Sequence, residues 1–197
     1  MSNVIVIAAH PDDEILGCGG TLLKHVAMGD NVFILFISEG VSGRFLNDKF
    51  NFKKEISLRK DMAKKAAILG KFKILDFLGL KNLELDSYPH NYLTNILVEN
   101  FKKIKPDIVY THYEHDLNID HYQTFFSTFV ACRPNKDFCV KKLLSFEIPS
   151  STDWCINNNG RLFNPNYFVN IKKFMSKKKL LLNCYKSELR KNPHSDH

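Results

Sequence analysis

Apolar and polar positions alternate along the chain in blocks that read as strands and helices in turn. The run at 3–9 is continuously apolar, as in a parallel strand buried on both faces. A helix is expected over 14–28, ending near Gly29-Asp30, and "NVFILFIS" (31–38) is a second apolar strand. The Gly-punctuated loop "EGVSGR" follows. Residues 53–69 carry Ile56, Met62, Ala63, Ala66, Ile68 and Leu69 at roughly helical spacing, with Gly70 as a stop. "FKILDFL" is a third strand, 91–104 a helix ended by Pro106, and "DIVYTH" (107–112) a fourth strand. A Phe-rich helix over 119–132, a strand at 142–148 and a last helix over about 171–190 complete the order. Strands separated by helices imply right-handed βαβ units. The expected fold is α/β: a single-domain, Rossmann-like, three-layer fold with a mostly parallel central sheet over 1–197.

In such sheets ligands gather beyond the carboxyl ends of the strands. There the first strand runs into His10, Pro11, Asp12, Asp13 and Glu14. Pro11 suits the first turn of a helix, and carboxylates suit its positive end. Three adjacent carboxylates nevertheless repel one another unless a cation sits among them. His10 and Asp13, three residues apart, can face one point. Imidazole plus carboxylate suits zinc, with iron or manganese compatible. Asp12 would point about a quarter-turn away, beside a metal rather than on it. The alternative is a charged turn at a sheet edge, and the motif alone does not decide between the two. The fourth strand ends in a second cluster, "THYEHDLNIDHYQ" (111–123), in an equivalent topological position. Two His/Asp clusters at strand carboxyl ends can face one another across a crevice.

"AHPDDE" followed downstream by "DLNIDH" resembles the LmbE-like, or PIG-L, family of zinc-dependent N-acetylglucosaminyl deacetylases. "EGVSGR", "KPDIVYTH", "ACRP", "SFEIPSSTDW", "FNPNYFV" and "CYKSELR" extend the resemblance over nearly the whole chain. It implies a Rossmann-like fold that binds no dinucleotide, and no GxGxxG follows the first strand. It also implies His10, Asp13 and His121 as metal ligands, with Zn2+ as cofactor and Fe2+ compatible. Asp12 would be the general base, and Asp120 would orient a neighbouring side chain. Asn118 stands where many members carry a histidine. An amide there can donate to an oxyanion but cannot act as an acid. The acid role then passes to Asp12, once protonated, or to His115 or His112. Arg44 matches a family arginine that contacts substrate hydroxyls, its alternative being a loop charge. His115 and Arg133 join the substrate-contact candidates, Arg133 either closing the site or capping its helix. Glu14 is expected to orient the first turn. The resemblance also implies His194 as a site contact, in a segment where relatives usually continue further, so the C-terminus looks short.

The expected reaction is removal of acetyl from an N-acetylated amino sugar, nucleotide- or lipid-linked forms included, in bacterial surface-glycan or related biosynthesis. The rivals are a zinc hydrolase of a non-sugar acyl amide and a catalytically silent sugar-binding member. The formal charge of +7 adds little. The Lys-rich patches at 53–65, 102–105, 141–142 and 172–179 are broken by apolar residues and read as solvated helix faces. No specific nucleic-acid partner is expected, and at most a peripheral attraction to anionic membranes. A homo-oligomer is compatible with the sequence. The five scattered cysteines form no CxxC pair, and Cys18 among glycines reads as a small buried residue. With no signal peptide and no membrane-length apolar run, the expected compartment is the cytoplasm.

Overall fold

The computed structural model describes residues 1–44, 49–154 and 162–188. Its centre is a five-stranded sheet of β1 (Asn3–Ala8), β2 (Asn31–Ser38), β3 (Lys73–Leu80), β4 (Ile108–His112) and β5 (Lys142–Phe146). The spatial order is β3-β2-β1-β4-β5, and every pairing is parallel. The helices are α1 (Asp13–Ala27), α2 (Lys49–Gly70), α3 (His90–Ile104), α4 (Ile119–Ala131) and α5 (Met175–Leu182).

Alternation along the strands assigns residues to two cores. Val4, Val6, Ala8, Val32, Ile34 and Phe36 pack with α1, α2 and the C-terminal residues Leu181 and Tyr185. Ile5, Ile7, Leu35 and Ile37 face the other way, against Leu93, Leu97 and Phe101 of α3 and Ala131 of α4. Because both faces are covered, the strands read as unbroken apolar runs. This is the expected three-layer α/β architecture.

The winding runs outward from β1 to β2 and β3, then returns to β4 on the other side of β1. The carboxyl ends of β1 and β4 therefore diverge at a switch point, where a crevice opens. Both His/Asp clusters sit there. Two expectations need correction. The last helix is shorter than 171–190: a 3-10 turn at Lys172–Phe174 leads into α5, which ends at Leu182, and the chain then turns to bury Tyr185. α1 starts at Asp13, so Pro11 lies in the turn before the helix and not in its first turn. Among the described residues no helix is long and apolar enough to cross a membrane.

Candidate active site and metal centre

At the switch point the three adjacent carboxylates diverge, and each finds a different partner. Asp13 turns toward two imidazoles. Its Oδ2 lies 3.2 Å from His10 Nδ1 and 3.4 Å from His121 Nε2, and those two nitrogens are 3.3 Å apart. Asp12 turns away to Arg59, with Oδ2 accepting from Nη2 at 2.6 Å. Glu14 turns back, accepting from Tyr185 Oη at 2.5 Å and from the Asp12 backbone N–H at 2.9 Å. All three acids are buried, and so is Arg59.

The outer faces of the two imidazoles decide what the inner faces offer. His10 Nε2 is 3.0 Å from Asp120 Oδ2, and His121 Nδ1 is 3.1 Å from Asp116 Oδ1. A proton on each outer nitrogen satisfies these carboxylates and leaves a lone pair on His10 Nδ1 and on His121 Nε2. Two lone pairs and one carboxylate oxygen then converge with no donor among them. His10, Asp13 and His121 thus form a ligand-type cluster, all three buried. Two nitrogens and one oxygen match the donor set of a zinc site that keeps an open position, so the residues fit such a metal.

The charges respond to this crowding. Burial pushes the His121 imidazole down, yet Asp13 and Asp116 outweigh it and raise its pKa to about 10. His10 is likewise raised, against burial, by Asp120 and Asp13. Asp13 is held well below the usual carboxylate range, the facing His121 outweighing burial. Without another cation, protons screen these groups; a divalent metal held there would take over that task. Asp12 behaves differently. Burial raises it to about 7, even though the Arg59 guanidinium opposes the shift. Burial also raises Glu14, to about 8, the Tyr185 hydrogen bond offsetting part of it.

The cluster forms the floor of a cleft of about 320 Å³. Asp12, Gly40, Arg59, Asn118, Ser151 and Tyr185 are among its walls. Gly40 has φ +72°, and a Cβ there would come within 3.2 Å of His10 Cβ, so the backbone passes close to His10. Asn118 caps α4: its Oδ1 accepts from the Asp120 N–H at 2.9 Å. The cap orients the amide, since only the oxygen can accept, and leaves Nδ2 as the available donor. Asp120 also accepts from the backbone N–H groups of Leu83 and Leu85, which lock it in place.

Other expected contacts fall elsewhere. Arg133 is exposed just beyond the C-terminal end of α4, whereas His121 is in its first turn. The ten residues of helix from His121 to Ala131 already span roughly 15 Å, and Arg133 lies beyond them, so it does not close the cleft. His115 is not among the lining residues; it lies beside Glu114 and Tyr113. His112 is fully buried and stacks on His121 with centroids 4.0 Å apart. Its Nε2 accepts from the Ala9 N–H, and burial holds its pKa well below normal, so it is a neutral packing partner rather than an acid. The backbone of Arg44 ends a 3-10 turn after β2, but its side chain lies outside the described residues, as does His194.

Sequence reading missed Arg59, Asp116, Tyr185 and Glu188. Arg59 carried a signal. It sits at the helical spacing of Met62, Ala63 and Ala66, so within the 53–65 patch it occupies the buried face. Asp116, four residues before Asp120, is held by the Thr152 and Ser151 hydroxyls at 2.7 and 3.0 Å, contacts that no local pattern announces.

The chain is similar to known proteins at several levels. It is 30% identical over 122 residues to a probable N-acetyl-alpha-D-glucosaminyl L-malate deacetylase 2 of Bacillus subtilis (strain 168). That match covers 60% of this chain and 55% of the relative, so the chain spans about half the length of the curated relative it matches. The N,N'-diacetylchitobiose deacetylase of Pyrococcus horikoshii shares the fold with a TM-score of 0.77 at 22% identity, over 97% of this chain and 72% of that one. The 4-carboxy-2-hydroxymuconate hydratase of Pseudomonas putida KT2440 does so with a TM-score of 0.79 at 19% identity, over 95% and 80%. One fold serving a deacetylase and a hydratase leaves the reaction to be argued from the site. Residues 5–132, which run from before His10 to beyond His121, match the PIG-L family, described as GlcNAc-PI de-N-acetylase. On that match, which takes in both halves of the ligand cluster, the chain belongs to the PIG-L family.

Proposed function

We propose that this chain is a metal-dependent hydrolase that removes acetyl from an N-acetylated amino sugar, releasing acetate and a free amine. The observation that carries the reading is the convergence of His10, Asp13 and His121 on one point, with Asp12 buried on the adjacent wall. A divalent metal, with zinc favoured by the donor set and Fe2+ compatible, would supply Lewis acidity at that point. Asp12 takes a proton from the attacking water, and its carboxyl, raised to about 7, is suited to both accepting and returning one near neutral pH. Water adds to the acyl carbon, and Asn118 Nδ2 donates to the oxygen that gains charge. The C–N bond then breaks, and Asp12 delivers its proton to the departing nitrogen. Neither His112, neutral and bonded to Ala9, nor Asn118 supplies an acid. Asp120 and Asp116 orient the two histidines. Arg44 is proposed as a contact to substrate hydroxyls. The relatives that act on N-acetylglucosaminyl malate and diacetylchitobiose favour a sugar over a non-sugar amide. A reducing, cytoplasmic setting agrees with the free thiols of Cys18, Cys132, Cys139 and Cys184.

The test is amine release by the zinc-loaded protein. The substrates are N-acetylglucosamine, its nucleotide- and lipid-linked forms, the malate glycoside, diacetylchitobiose and N-acetyl amino acids. Release from at least one sugar is expected, with Asp12→Asn losing about 100-fold or more at unchanged metal content. Turnover of acyl amino acids alone moves the substrate class. Binding without release indicates a silent member. Water addition to an unsaturated acid without amine release would place the chain with the hydratase.

A further inference from the structure

The backbone at Asp12 is held where an L-residue rarely rests. Its φ is 130° with ψ −31°, in the region that favours glycine. Such a conformation persists only where the surroundings over-determine it, and such sites cluster where chemistry is done. Here two chains of contact converge on the turn. On one side Glu14 Oε2 accepts from the Asp12 N–H at 2.9 Å, while Glu14 Oε1 accepts from Tyr185 Oη. On the other side Arg59 donates from Nη2 to Asp12 Oδ2 at 2.6 Å and from Nε to the Pro11 carbonyl at 3.1 Å. Arg59 Nη1 is in turn 2.9 Å from Glu188 Oε1.

Both chains start in the same place. Tyr185 and Glu188 belong to the segment that follows α5, and with Leu182 they recur every third residue and line the cleft. Packing alone would require only a phenyl ring at Tyr185, which is 1% exposed. Its hydroxyl instead meets a buried carboxylate whose other oxygen serves the Asp12 backbone.

We propose that Tyr185 and Glu188 are positioning residues: acting through Glu14 and Arg59, this C-terminal segment latches Asp12 in its strained conformation and aims its carboxylate into the cleft. The proposal rests on the reading of Asp12 as the base. Tyr185→Phe removes one latch while keeping the ring. Glu188→Ala removes the other at the cleft wall and serves if the tyrosine variant fails to fold.

Crystal structures of the zinc-loaded parent and both variants decide the matter. Asp12 is expected to leave positive φ, or its bond to Arg59 to break, while His10, Asp13 and His121 keep their arrangement and zinc content stays at the parent level. On the substrate found by amine release, kcat should fall by roughly 10-fold or more, with KM changed by less than about 2-fold. In an Asp12→Asn background neither variant should add to the loss. An Asp12 turn unchanged in both variants overturns the proposal whatever the rate. An Asp12 turn that relaxes while kcat holds supports the latch and instead removes Asp12 from the role of base.

Discussion

Asp120 Oδ2 stands 3.0 Å from His10 Nε2, joining the first turn of α4 to the end of β1 across 110 residues of chain. This contact, with its counterpart between Asp116 and His121, sets which nitrogen of each ring faces the cleft. Carboxylates in this position typically contribute 10–100-fold to metal affinity. Asp120→Asn and Asp116→Asn should each weaken zinc binding by about that factor, measured by chelator competition, with the far-ultraviolet circular dichroism preserved. His121→Ala should lose the metal altogether by elemental analysis. Parent-like zinc affinity in both Asn variants would show that the tautomers are fixed by something else.

Asn118 combines a cap and a donor, and two substitutions separate them. Asn118→Asp keeps the oxygen that accepts from the Asp120 N–H but removes the Nδ2 donor. Its melting temperature should stay near that of the parent, while kcat falls roughly 10²–10³-fold, as for a lost oxyanion donor. Asn118→Ala loses both functions and should in addition cost about 1 kcal/mol of stability. An Asp variant with full turnover would remove Asn118 from the reaction.

Gly17 is demanded by the Phe146 ring. A Cβ at this position would fall 2.2 Å from Phe146 Cδ2, so the ring must move. That ring packs on His112, which stacks on His121. Gly17→Ala should therefore destabilise the protein by about 1–3 kcal/mol in urea unfolding, despite the better helix propensity of alanine. A neutral or stabilising effect would mean that the β5 edge yields more readily than its packing indicates.

Asp30 supplies a pH-dependent share of stability far from the cleft. Burial pushes its carboxyl up, but the His25 hydrogen bond at 2.8 Å and that from the Ser2 N–H at 2.7 Å outweigh it and hold the pKa below normal. A carboxyl depressed in the folded state stabilises fully above its unfolded pKa, near 3.9, and loses that contribution as pH falls through the folded value. Asp30→Ala should lower the melting temperature at pH 7, and the gap to the parent should narrow as pH drops below about 4. A gap independent of pH would assign the loss to packing alone.

The apolar blocks were enough to order the five strands and the helices between them, because burial on both faces of a parallel sheet writes itself into each strand locally. The two clusters after β1 and β4 were legible for a related reason. Side chains at strand ends are consecutive with the strands that carry them, so topology alone brings His10 and Asp13 opposite the 111–123 segment. Sequence proximity misled where direction mattered. Arg133 is close to His121 along the chain, but a straight helix carries it to the far end of α4.

What answered the crowding of Asp12, Asp13 and Glu14 was decided only by the tertiary structure. The sequence called for a cation among them, and the fold supplies three separate solutions: Arg59 from α2, two imidazoles, and the Tyr185 hydroxyl. Residues 59, 185 and 188 share no window with residue 12. Their meeting depends on how α2 and the segment after α5 pack against α1, a matter of whole-core complementarity that no local periodicity encodes. The strain at Asp12 belongs to the same class. Taken alone, the residue would relax to ordinary φ, and it is the packed surroundings that hold it where the cleft requires.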